Sequence, residues 1–207
     1  MQFGLFDDRQ QFDSFDEIVE TMMKMEDDPL FPAGTNMVIY RGNPQARLMI
    51  IGEAPGTEED RLGKPFVGRS GKLLDQILDS VNFDPELDVF ITNAVFRLPP
   101  GVDGKPLRKP TPDEIKFYQP YLLEIIRVVD PVIILLTGNA ALESILGQTG
   151  ITKIRGKWHE WQGRQVMPIF HPAYLLRNPS RTPGSPKDLT WKDIQEVRQQ
   201  YDLLVAG

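Results

Sequence analysis

Three short apolar runs, each separated from the next by a helical pattern, constrain this chain more than any other feature. Residues 46–51 (ARLMII) end in a Gly/Pro turn, residues 88–92 end at Asn93, and residues 131–136 read PVIILL. Runs with so little polar alternation are strands covered on both faces, which is the signature of a parallel sheet between helices. Residues 70–81 are amphipathic, with Leu73, Leu74, Ile77 and Leu78 on one side. Thr111 caps a helix that starts with Pro112 and carries Glu114 at the capping-box position. Residues 15–25 form a short helix opened by Asp13 or Ser14, and residues 139–146 and 189–204 form two more. Residues 157–161 and 165–170 read as a hairpin around Gln162-Gly163 whose second arm joins the sheet. The expected fold is α/β, a three-layer α/β/α sandwich with a central, mainly parallel four-stranded sheet.

Residues 13–207 are expected to form a single domain behind a flexible acidic arm, residues 1–12. With 207 residues and 41% hydrophobic content, the chain can bury a substantial core. No apolar stretch approaches the about 20 residues that span a bilayer, and the first residues have no basic, apolar leader pattern. With no cysteine, disulfides, thiol nucleophiles and thiolate metal sites are excluded. The expectation is a soluble cytoplasmic protein with no membrane partner.

The net charge of −6 argues at first against nucleic acid, but it is unevenly spread. Residues 1–30 hold nine acidic and two basic side chains, whereas residues 151–192 hold eight Lys or Arg against two acids. That asymmetry suits an acidic arm beside a basic surface, and equally suits two solvated faces.

Ligands in such sheets bind beyond the carboxyl ends of the strands. The first strand ends in Gly52-Glu53-Ala54-Pro55-Gly56, the second in Asn93 and the last in His171-Pro172. An acid, an amide and an imidazole, far apart in sequence, should therefore gather at one rim.

The segments GEAPGTEEDRLGKPFVGRSGKLLDQIL (52–78), ITNAVFRLPP (91–100) and HPAYLLRNP (171–179) resemble the three signature blocks of the family 4 uracil-DNA glycosylases. The resemblance runs from about Gly42 to Leu204 and includes RGKWHEWQGR and PGSPKDLTWKDIQEVR. It implies an enzyme that flips uracil out of single- or double-stranded DNA and hydrolyses its N-glycosidic bond, initiating base excision repair. His171 resembles the residue that stabilises the uracil anion at O2, and Asn93 the one that reads the base. Phe66, in GKPFVG, resembles the aromatic on which the base stacks, with Gly52 and Ala54 beside it. Glu53 resembles the acid that orients water and stabilises the cationic sugar; Glu59, taken to lie in the same loop, is a second candidate. Glycosylases with a GQDPY motif use Asp at its third position, where this chain has Ala54, so the carboxylate has moved by one residue.

Leu175 and Leu176 would lie on a loop facing DNA and fill the gap left by the flipped nucleotide. Arg177 would contact a phosphate, while Gly56, Pro99, Pro100 and Pro172 would let backbone amides approach the phosphodiester.

The chain departs from the family in one respect. Family 4 enzymes carry a [4Fe–4S] cluster on four cysteines, and here the corresponding positions are Met25, Asp28, Arg97 and Tyr118. No cofactor and no metal are therefore expected. Asp28 and Arg97 are expected to pair at the former cluster site, with Met25 and Tyr118 filling its volume.

Gln2, Leu5 and Phe6 match the Q-x-x-L-F pattern with which bacterial repair proteins dock on the β sliding clamp. The protein is expected to act as a monomer. A P-loop is excluded, because Gly71-Lys72 is followed by Leu73. Residues 94–158 hold no histidine, so the covalent trapping of one related branch is not expected. Two other functions fit the same blocks: a non-catalytic DNA-damage-binding protein of this fold, or a glycosylase preferring another deaminated base. Glu53, Phe66, Asn93 and His171 together argue for catalysis on uracil.

Overall fold

The computed structural model describes residues 11–101 and 107–205. Six strands form one sheet: β1 (Arg41–Gly42), β2 (Leu48–Gly52), β3 (Val89–Asn93), β4 (Ile133–Thr137), β5 (His159–Trp161) and β6 (Arg164–Ile169). Their lateral order is β1-β3-β2-β4-β6-β5. β3, β2, β4 and β6 are parallel, and β1 and β5 are antiparallel edges. The four expected strands are thus six. β1 is two residues long, too short to carry a period, and the first arm of the hairpin pairs with β6 as a true edge strand. Gln162 and Gly163 turn that hairpin with φ of 49° and 76°, the left-handed pair that matches strand twist.

Every residue of β2, β3 and β4 is buried, because helices cover both faces. Met49, Ile51, Phe90, Ile134 and Leu136 point to one face, and Leu48, Ile50, Val89, Ile91, Ile133 and Leu135 to the other. The first face is covered by α1 (Phe15–Met23), α4 (Pro112–Val129) and α5 (Asn139–Leu146). The second is covered by α3 (Arg69–Asp79) and α8 (Pro186–Val205). Ser14 caps α1 by accepting from the Glu17 amide, and Thr111 and Glu114 form the reciprocal box that opens α4.

Three further helices, α2 (Thr57–Leu62), α6 (Ile151–Ile154) and α7 (Pro172–Arg177), occupy stretches without a helical signal. None of them has two full turns, so none shows a hydrophobic period. Two of them correct the sequence reading, since Glu59 lies on α2 and Leu175 and Leu176 on α7 rather than on loops. The expected arm, residues 1–12, lies outside the described residues except for Gln11 and Phe12. Phe12 is packed in the core, 3% exposed, and its carbonyl accepts from Arg127 at 2.6 Å.

The registers bring the strand ends to one edge. Gly52 pairs with Asn93, Ile51 with Leu136 and Thr137 with Ile169. Glu53, Asn93 and His171 therefore leave the sheet side by side.

Candidate active site

Glu53, Ala54, Phe66, Asn93 and His171 line one cavity of about 270 Å³, together with Gly56, Glu59 and Pro99. Gly52 makes this geometry possible: a Cβ there would lie 2.3 Å from Asn93 Oδ1 and 2.5 Å from the Phe66 ring. Asn93, the last residue of β3, is 1% exposed, and its Nδ2 has no hydrogen-bond partner among the described residues. A buried donor left unpaired costs about 1–3 kcal/mol, so an amide held this way is built for a ligand.

His171 is the N-cap of α7 and its Nδ1 accepts from the Ala173 amide at 3.1 Å. That bond requires Nδ1 to be unprotonated, which assigns the proton of the neutral ring to Nε2. Burial lowers the imidazole pKa to about 4, and Arg177 adds to the effect. At neutral pH the ring is an uncharged donor of one hydrogen bond. Its face lies 5.6 Å from the Phe66 ring, at 28°.

Glu53 follows β2 directly. Burial raises its pKa above the ordinary value, and the cations Lys109 and Arg177 oppose that rise. Both cations line a second cavity of about 430 Å³ that shares Glu53, Ala54 and His171 with the first. Sequence reasoning missed Lys109, whose one signal was a basic pair, Arg108-Lys109, in the Pro/Gly-rich stretch after residues 91–100. Arg108 is occupied by an ion pair with Glu114.

Glu59 lines the same cavity, with its carboxylate held by backbone amides. It is 8% exposed, and its Oε1 accepts from the amides of Val67 at 2.9 Å and Gly68 at 2.7 Å. The carboxylate clamps the loop carrying Phe66, whose φ of 54° is a left-handed value costing a non-glycine residue about 1–3 kcal/mol. Leu175 is displaced from its expected role, being 1% exposed beside Leu73 and Ile77 of α3. Leu176, 37% exposed, and Arg177 face outward. Pro99 and Pro172 are buried and Pro100 bridges to Leu107. Lacking an N–H, these prolines shape the rim and cannot donate to a phosphate.

Met25, Asp28, Arg97 and Tyr118 meet on the α4 side of the sheet, each 6% exposed or less. Arg97 Nε donates to Asp28 Oδ2 at 2.6 Å, its Nη2 to the Met25 carbonyl at 3.0 Å and its Nη1 to the Thr35 carbonyl. The Tyr118 hydroxyl donates to Asp28 Oδ1 at 2.6 Å, as does the Leu30 amide at 2.9 Å. Burial and the adjacent carboxylate push the phenol well above its ordinary pKa, so it stays a donor. A thioether, a guanidinium, a phenol and one saturated carboxylate do not fit an iron–sulfur cluster, which needs thiolates.

Residues 39–195 match the family model described as the uracil DNA glycosylase superfamily. The chain is 41% identical over 186 residues to the type-4 uracil-DNA glycosylase of Thermotoga maritima, covering 88% of this chain and 92% of the relative. It is 38% identical over 196 residues to the type-4 uracil-DNA glycosylase of Sulfurisphaera tokodaii, covering 90% and 84%. A DNA polymerase of Bacillus phage SP01 is 40% identical over 149 residues, which are 72% of this chain and 16% of that protein.

Proposed function

The chain belongs to the uracil-DNA glycosylase superfamily, and from that premise we propose how its pocket releases the base. The protein is a uracil-DNA glycosylase, a monofunctional hydrolase that cleaves the N-glycosidic bond of uracil in DNA and leaves an abasic site. One observation carries the site assignment: the unpaired Asn93 Nδ2, buried in the same cavity as Glu53, Phe66 and His171.

The flipped base stacks on Phe66. Asn93 accepts from N3–H and donates to O4, a pattern that cytosine reverses. As the bond from C1′ to N1 breaks, negative charge grows on O2. The Nε2–H of His171 stabilises it, and because the ring is neutral the hydrogen bond strengthens most in the transition state. The Glu53 carboxylate faces the oxocarbenium-like sugar and orients the water whose oxygen bonds to C1′. The water's proton passes to that carboxylate or to solvent, and uracil leaves as its anion.

Lys109 and Arg177 contact strand phosphates and hold Glu53 ionised. The Gly56 amide adds a backbone contact, and Leu176 fills the gap left by the flipped nucleotide. The Asp28–Arg97–Tyr118 centre takes over the structural task of the cluster, so the enzyme works without one. Residues 2–6, outside the described residues, dock on the β sliding clamp, and the protein acts as a monomer on the nucleoid. No helix among the described residues is long and apolar enough to cross a membrane.

Incubation with an oligonucleotide containing one uracil, followed by alkali, should cleave the strand at that position. Cleavage undiminished in both His171→Ala and Asn93→Ala would overturn the site assignment.

A further inference from the structure

Phe66 is held in a conformation that its residue type resists, and two groups hold it from opposite sides. After Phe66, Glu59 accepts from the Val67 and Gly68 amides. Before it, the Pro65 carbonyl accepts from Arg41 Nε at 3.0 Å. Arg41 belongs to the two-residue edge strand β1, outside every signature block, and is 6% exposed. Its Nη1 donates to Glu86 at 2.9 Å and its Nη2 to Asp75. One rigid fork thus ties β1, the approach to β3 and helix α3 to a single carbonyl. Gly71 leaves no slack on the helix side, since a Cβ there would lie 1.7 Å from the Phe66 carbonyl oxygen.

We propose that Arg41 is a positioning residue for base recognition: braced by Asp75 and Glu86, it grips the Pro65 carbonyl and so holds the left-handed Phe66 ring where a flipped base stacks. The proposal rests on the reading of Phe66 as the stacking surface. Packing alone would not call for this set of residues, because a buried ionic group exchanged together with its partners for apolar side chains of similar volume often costs little stability. What the place requires is a planar group with several fixed donors serving one carbonyl and two carboxylates together. Lysine, a flexible point charge, cannot supply that geometry.

The test combines Arg41→Met, Arg41→Lys, Phe66→Ala and the Arg41→Met/Phe66→Ala double variant. The measurements are kcat and KM on a uracil oligonucleotide, inhibition by free uracil, and thermal unfolding. Arg41→Met should weaken uracil inhibition and raise KM by about tenfold, the scale of one hydrogen bond to a charged group. Arg41→Lys should recover melting temperature but not uracil affinity. In the Phe66→Ala background, Arg41→Met should cost nothing further. Unchanged uracil inhibition in a folded Arg41 variant, or losses that add in the double variant, would overturn the proposal. If Arg41→Met does not fold, Arg41→Lys and Glu86→Gln, at a mostly exposed partner, give the same reading. If Phe66→Ala alone leaves uracil inhibition unchanged, the stacking reading fails and the proposal falls with it.

Discussion

Two of the buried polar clusters, the Asp28 centre and the Asn93 pocket, are built on opposite rules. At the Asp28 centre all three guanidinium nitrogens of Arg97 donate, and the carboxylate accepts from Arg97, Tyr118 and the Leu30 amide. In the pocket below the strand ends, Asn93 Nδ2 has no partner among the described residues, and of His171 only Nδ1 is engaged by them. Burial of polar atoms is costly in both places. In the first the protein offsets the cost itself, and in the second it leaves the cost to be offset by a ligand. A saturated cluster is therefore evidence of architecture, and a deficient one is evidence of function.

Variants should separate the two along these lines. Arg97→Met and Asp28→Asn each strand a buried partner and should destabilise the fold by about 3–5 kcal/mol. Thermal unfolding should report the loss, while kcat per folded molecule stays within a few-fold of the parent. A melting temperature unmoved by either change would erase the contrast. At the pocket, His171→Ala should lower kcat by roughly 10²–10³, as removal of one preorganised donor does elsewhere, with a loss of stability no larger than the about 0.5–2 kcal/mol of one helix cap. Asn93→Ala removes an unpaired buried group, so it should impair uracil cleavage while leaving stability equal or improved. A marked fall in stability would mean that the amide has a partner within the protein after all. Tyr118→Phe deletes one bond to a charged acceptor and should cost about 1.5–3 kcal/mol, less than either ionic partner.

The smallest effect concerns pH. Glu53 must be ionised to act, and burial raises its pKa above 4.5, whereas the His171 pKa is lowered to about 4. As pH falls, Glu53 is therefore protonated first, and the acid limb of kcat/KM, which reports the free enzyme, should have its midpoint above 4.5. Removing a cation that favours the carboxylate, as in Arg177→Ala, should move that midpoint upward by a fraction of a pH unit. A downward shift would mean that the limb belongs to another group.

The sequence was most legible where one physical demand governed each residue. The strands 48–52, 89–93 and 133–137 are buried on both sides and so read as unbroken apolar runs. Thr111 and Glu114 announce a helix because capping depends on side chains three apart. The pairing of Asp28 with Arg97 could be anticipated because a cavity left by a lost group must be filled by matched chemistry. What escaped depends on distance across space. Glu59 looks like any acid in a polar segment until the fold brings the Val67 and Gly68 amides to it. Arg41 belongs to a strand too short to show a pattern. Leu175 and Leu176 are identical letters, and only the pitch of a six-residue helix turns one inward and the other out.

The imidazole at the head of α7 has a consequence beyond the pocket. Nδ1 can accept from the Ala173 amide only while it carries no proton. Protonation of the ring thus removes the first hydrogen bond of the helix that bears Leu176 and Arg177, and that short helix has no other side-chain cap at this end. The Ala173 amide is in this sense a built-in titration reporter, and its exchange with solvent should quicken as the ring gains its proton. A single acid-base event would at once put a charge on the donor and unfasten the arm that reaches toward the strand.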